Sequence, residues 1–176
     1  PGQHTNTATA SGEFFGSSAT DSDPVNFLVS YWAYPPCFWI ANPGFWSHTG
    51  YSSCQIVGEI FSDAVCLIGY VPSPCADPDP RCCAHPNPPS LDEYTLLQAL
   101  TCLGPEDITP IEALLSEAVA ALLNASFHES ICNSRLIGED GIFPLTSAQV
   151  LAVVQQTICS GDEQQILALA QTLKWI

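Results

Sequence analysis

Nine cysteines carry most of the chemistry in this sequence: Cys37, Cys54, Cys66, Cys75, Cys82, Cys83, Cys102, Cys132 and Cys159. Thiols at this density either pair as disulfides in an oxidising compartment or grip a metal ion. Structural zinc modules are built on Cys-x-x-Cys knuckles, and none occurs here. The spacing therefore points to disulfides, with the connectivity left open. Adjacent Cys82 and Cys83 are expected to reach in two directions, because the peptide between them would have to strain to join them. Nine is odd, so at least one thiol is left over, for a bond to another chain or as a free reactive group.

The other polar groups form no catalytic constellation. His4, His48, His85 and His128 sit in neither a metalloprotease helix pattern nor a serine-nucleophile elbow. Cys83 with His85 reads as a disulfide cysteine beside a loop histidine, in preference to a nucleophile and its base. The loop carboxylates Asp77, Asp79, Glu139 and Asp140 are of the type calcium prefers, but the spacing of a complete calcium loop is absent. No metal ligand set and no cofactor is expected, calcium being the one ion with a foothold. No Gly-rich phosphate loop or dinucleotide fingerprint is present. Asn124-Ala125-Ser126 matches an N-glycosylation acceptor, although Asn124 also falls where it can cap a helix. Thr5, Thr7, Thr9 and Ser11 are candidate O-glycosylation sites. The chain reads as a protein without enzymatic activity.

Charge narrows the partners. Eighteen acidic residues oppose three basic ones, Arg81, Arg135 and Lys174, for a net charge of −15. That excludes a nucleic-acid partner, which needs a basic face, and disfavours an anionic membrane surface. Copies of this chain repel one another, so self-assembly requires apolar contacts, covalent links, salt or calcium. No apolar run reaches the roughly 18 residues of a membrane span. The chain begins at Pro1 and contains no Met, the expectation being a processed product whose signal peptide is gone.

The elements that must position these groups fall into two halves. Residues 1–24 are small and polar and form an N-terminal arm, read as a flexible tail, a glycosylated stalk, or a strand that orders against a neighbouring subunit. Residues 25–51 hold nine aromatics. Most are expected in the core, with Trp32, Trp39 and Trp46 the candidates for ligand contact if a face is exposed. Residues 25–31 read as a short strand and Pro35-Pro36 as a break. Ser52 and Gln55 predict a cap for a short helix over residues 54–61, followed by an extended piece over 66–71. Residues 72–90 are a loop stiffened by seven prolines.

From residue 90 the pattern turns helical. Ser90 with Glu93 predicts a capping box for a helix bearing Leu96, Leu97 and Leu100, stopped at Gly104-Pro105. Thr109-Pro110-Ile111-Glu112 is the clearest helix start, ahead of a stripe of Ile111, Leu114, Leu115, Ala118, Val119, Leu122 and Leu123. Thr146 with Gln149 opens a further helix, carrying Val150, Leu151, Val154 and Ile158, with Gly161 as its stop. Asp162 caps the last, with Ile166, Leu167, Leu169, Ala170 and Leu173 inward. The fold class is mainly α: a disulfide-rich domain over residues 25–176 with about four to five helices. Residues 25–90 supply aromatic and Pro/Cys-rich loops, and 91–176 a helical bundle.

Four phrases, in order, resemble a module of large secreted and cell-surface proteins that typically opens on Gly-aromatic-Trp-Lys-x-His-Pro. They are Pro43-Gly44-Phe45-Trp46 with His48, Tyr94 to Leu100, Ala118 to Ala125, and Phe143 to Val150. The resemblance spans residues 43–173. This chain departs from it at Ser47, where the module has Lys and one more residue before its His. The resemblance implies an extracellular architectural or adhesive role without catalysis. The leading expectation is thus a subunit of a disulfide-stabilised filament, sheath or matrix, whose partners are copies of itself. One rival is an adhesion module that binds glycans or cell-surface matrix through exposed aromatics. The other is a secreted hydrolase working through His48 and scattered carboxylates.

Overall fold

The computed structural model describes residues 2–14, 17–29, 34–72, 89–103, 109–132 and 143–175. It is mainly helical, with a disulfide between Cys66 and Cys159 and the aromatic residues gathered in its N-terminal half. The loop carboxylates Asp77, Asp79, Glu139 and Asp140 lie outside the described residues, as do Cys75, Cys82, Cys83, His85, Trp32 and Gly104-Pro105.

Strands β1 (Gly2–Phe14) and β2 (Ser17–Val29) form an antiparallel hairpin in strict register from Gly2↔Val29 to Phe14↔Ser17. The arm is therefore strand-like, and it extends through Val29 instead of ending at residue 24. Thr5, Thr7, Thr9 and Ser11 all fall within β1.

Six α-helices follow among the described residues: α1 (Pro36–Ala41), α2 (Val57–Ile60), α3 (Leu96–Thr101), α4 (Pro110–Cys132), α5 (Ser147–Ser160) and α6 (Glu163–Trp175). Helix α1 corrects the sequence reading. Pro36 occupies its first turn, where a proline loses no hydrogen bond, so Pro35-Pro36 starts a helix instead of breaking one. The expected extended piece after Cys66 is instead a 3-10 turn, Val65–Leu67. The cap of α3 is not Ser90 with Glu93. Thr95 accepts from the Gln98 N–H at 3.1 Å while the Gln98 side chain accepts from the Thr95 N–H at 2.9 Å. Ser90 instead precedes a 3-10 turn, Leu91–Glu93, and its hydroxyl accepts from the Gly69 N–H at 2.8 Å.

Ser52 and Gln55 do not cap α2 either: it begins at Val57 with Ile56 as N-cap and no side-chain bond, and Gln55 accepts from the Ser52 N–H ahead of it. The three later caps fall as expected. Thr109 donates its N–H to Glu112 Oε2 at 2.7 Å, and the Thr146–Gln149 box opens α5. Gly161 ends α5 at φ 68°, a left-handed conformation that glycine adopts without Cβ strain. Asp162 Oδ1 accepts from the N–H groups of Gln164 and Gln165 at 2.9 and 3.1 Å.

Helix α4 is the axis of the core. Its stripe residues Leu114, Leu115, Ala118, Val119, Leu122 and Leu123 are all buried, and so are Ala120, Ala121 and Ala125 between them. A helix apolar all round belongs inside, and α1, α3, α5 and α6 surround this one. Over Pro110–Ser130 it has a mean hydropathy of 1.2 and is long and apolar enough to cross a membrane, which corrects the reading that no run qualifies. In this fold the bundle covers 78% of that window. In α5 and α6 the expected inward residues Val150, Val154, Ile158, Ile166, Ala170 and Leu173 are buried, whereas Leu167 is 43% exposed.

Candidate functional site

The aromatic segment folds inward. Trp39 is fully buried and Trp46 is 5% exposed, their rings set edge-on at 6.4 Å between centroids. Trp46 Nε1 donates to the Trp39 carbonyl at 3.1 Å. Two of the three candidate ligand aromatics are thus core residues. An indole carries more apolar area than any other side chain, and α4 offers Phe127 to receive Trp39. Phe45, not singled out from the sequence, is the ring of this cluster that stays partly open, at 37%.

Asn124 is spent on structure. Its Nδ2 donates to the Tyr34 carbonyl and its Oδ1 accepts from the Tyr34 N–H, both at 2.9 Å. The side chain is 3% exposed. A glycan would have to be attached at the nitrogen that holds this contact, so the folded domain does not present Asn124 as an acceptor.

Of the cysteines, Cys66 and Cys159 are joined, with Cα atoms 5.5 Å apart. Cys54 and Cys102 are disulfide-bonded as well. Cys132 closes α4, with its side chain outside the described residues. Among the described residues, Cys37 is a free thiol, and it is exposed on α1. It lines a groove of about 510 Å³ together with Ile40, Leu103, Leu167, Glu117 and Lys174. This explains Leu167: it faces the groove and not the core. Burial lifts the Glu117 carboxyl above the ordinary glutamate range, and the Lys174 ammonium draws it back only in part.

His48 lines a separate, open cleft with Ser126, Glu129 and Ser147. Ser147 Oγ lies 2.7 Å from Ser126 Oγ and donates to Glu129 Oε2 at 2.8 Å, while Glu129 Oε1 accepts from the Ser147 N–H at 2.8 Å. Glu129 therefore braces the first turn of α5, an anion at a helix N-terminus. His48 packs edge-on against Phe45 and Phe127, and it is not brought into hydrogen-bond contact with these hydroxyls.

A further buried network was not anticipated. Tyr70 donates its hydroxyl to Thr109 Oγ1 at 2.8 Å, and Thr109 donates in turn to Glu112 Oε2 at 2.7 Å. Glu112 is completely buried. Burial and then the Glu112 charge push the Tyr94 phenol up. The capping box was legible in the sequence; its closure by Tyr70, 39 residues earlier, was not.

Fold and surface together define a mainly helical, disulfide-stapled domain in which, among the described residues, one exposed thiol lies beside an apolar groove. No family model, curated protein or solved structure matches the chain.

Proposed function

We propose that this protein is a non-catalytic extracellular structural subunit that assembles with copies of itself into a filament, sheath or matrix fastened by disulfides. The observation that carries the reading is Cys37. It is an exposed, free thiol in a chain with an odd number of cysteines, and it lines an apolar groove. Disulfides elsewhere in the domain fit an oxidising environment, where such a thiol does not stay single. A covalent link also answers the electrostatics, since a net charge of −15 works against reversible association. The exposed apolar side chains of Val65, Ile68 and Val71 offer contact area that a lone molecule leaves wet. The resemblance of residues 43–173 to modules of large secreted proteins points the same way.

Electrophoresis with and without reductant tests this directly. The expected pattern is a covalent dimer that collapses to monomer on reduction, and that Cys37→Ser abolishes. Filaments or sheets should be visible by negative-stain electron microscopy. A wild-type chain that is monomeric in both lanes and featureless under the microscope rules the reading out.

A further inference from the structure

Hairpins of two strands are marginal alone in water; a third strand or a packed apolar face is what stabilises them. The register shows where such support is lacking here. In the register Thr5 stands opposite Asn26, Thr7 opposite Pro24, Thr9 opposite Ser22 and Ser11 opposite Thr20. Ala8 stands opposite Asp23 and Ala10 opposite Asp21. Val25, Phe27, Leu28 and Val29 fall toward the open end, and Phe14 at the turn end. The sheet has two strands, so each strand keeps one outer edge without a ladder partner among the described residues.

The two edges are not equivalent. Natural sheets blunt an open edge with proline and charge. Strand β2 carries Pro24, Asp21 and Asp23. From Gly2 to Gly12, β1 has no proline and no Asp, Glu, Lys or Arg, in a chain with 18 acidic residues. Its Thr5, Thr7 and Thr9 are of a type that favours strands. The guarded edge and the bare edge belong to the same hairpin.

We infer that the β1 edge is an interaction surface whose occupant is β1 of a second copy, paired antiparallel about a two-fold axis into a four-stranded sheet. This deepens the assembly reading and rests on it. Charge selects the partner strand. Pairing through β2 would bring Asp21 and Asp23 of two copies together, whereas β1 against β1 aligns a nearly neutral row and offers Thr–Thr pairs across the new seam. An isologous contact of this kind closes on itself as a dimer. A second isologous joint, through Cys37, would turn such dimers into a continuous chain.

The test uses the full-length chain with Cys37→Ser, its internal disulfides intact, in sedimentation equilibrium. The expected species is a dimer. Adding Thr7→Lys and Thr9→Lys, which puts like charges into the seam, should weaken it by roughly tenfold or more. Thr→Lys would strengthen a β1–β2 pairing through Asp21 and Asp23, so tighter association overturns the proposal. A Cys37→Ser monomer also overturns it. If wild type still forms disulfide-linked filaments in that case, the assembly reading survives and only the edge is lost. Hydrogen exchange keeps the outcome independent of the variants' folding: β1 amides should gain protection as wild-type concentration rises, and protection independent of concentration contradicts the inference.

Discussion

Asn124 on α4 and the backbone of Tyr34 close a two-bond ring, amide to carbonyl and N–H to amide oxygen, each 2.9 Å. It ties the segment just ahead of α1 to the axis of the core across 90 residues of sequence. Both partners are largely withdrawn from water, so removing one strands the other. Asn124→Ala is expected to cost about 2 kcal/mol, and Asn124→Asp at least as much near neutral pH, because it sets a buried carboxylate oxygen against the Tyr34 carbonyl. Urea denaturation midpoints measure both. The same geometry predicts that the folded chain carries no glycan here, and a sugar mass on the peptide containing Asn124 would contradict it.

The Glu117 carboxyl gives a pH signature. Its native-state pKa is raised, chiefly by desolvation, above the ordinary glutamate value of 4.5. Where the folded pKa of an acid exceeds the unfolded one, the folded state binds the extra proton. The penalty for ionised Glu117 is then full above its folded pKa. It fades as pH falls through that value and is gone below 4.5. Glu117→Gln should therefore melt higher than the parent near neutral pH, with the gap closing by about pH 4. Using Cys37→Ser as the parent keeps the neighbouring thiol from contributing. A gap that is constant across the range would show that Glu117 is fully solvated.

Gly58 marks a close approach. A Cβ there would lie 2.9 Å from the Asp92 carbonyl oxygen and 3.1 Å from Asp92 Cβ. Asp92 has little room to retreat, because its 3-10 turn is pinned by the Ser90 hydroxyl bonding to its carboxylate. Alanine gains about 1 kcal/mol in helix propensity, against about 1–3 kcal/mol for overpacking. Gly58→Ala should thus be net destabilising by about 1 kcal/mol, while Gly44→Ala, with nothing within 4 Å, should be neutral or better. Thermal melts that place both variants together would remove the contact from the account.

What the sequence disclosed and what it hid follow from the range of the forces involved. Caps such as Thr109–Glu112, Thr146–Gln149 and Asp162 are local hydrogen bonds within four residues, and all three stand where their spacing puts them. The long stripe of α4 was legible, but that the helix is wrapped on every side was not, because alanine is neutral in any pattern. Tertiary partners override local signals elsewhere. Ser90 resembles a cap yet serves Gly69, and Asn124 matches a glycan acceptor yet serves Tyr34. Leu167 belongs to the inward stripe of α6 by period and to the groove by packing. The pairing of Cys66 with Cys159 could not be read at all, since spacing does not encode connectivity.

That disulfide supplies the last prediction. It pins the 3-10 turn Val65–Leu67 to the final turn of α5 across a sequence separation of 93. Restricting so long a loop removes much of the unfolded chain's freedom, while the other cross-links, at Cys54 and Cys102, already remove part of it. Replacing both Cys66 and Cys159 by Ala should therefore cost about 2–4 kcal/mol, toward the lower end if those cross-links span the same stretch. The loss should be local before it is global. Helix α5 past Ile158 is held by the disulfide and by the Gly161 turn alone, so its amides should exchange faster in the double variant while those of α4 do so only through global unfolding. Hydrogen exchange on matched samples separates the two. Uniform acceleration across α4 and α5 would mean that the bond stabilises the whole domain and does not anchor one helix end.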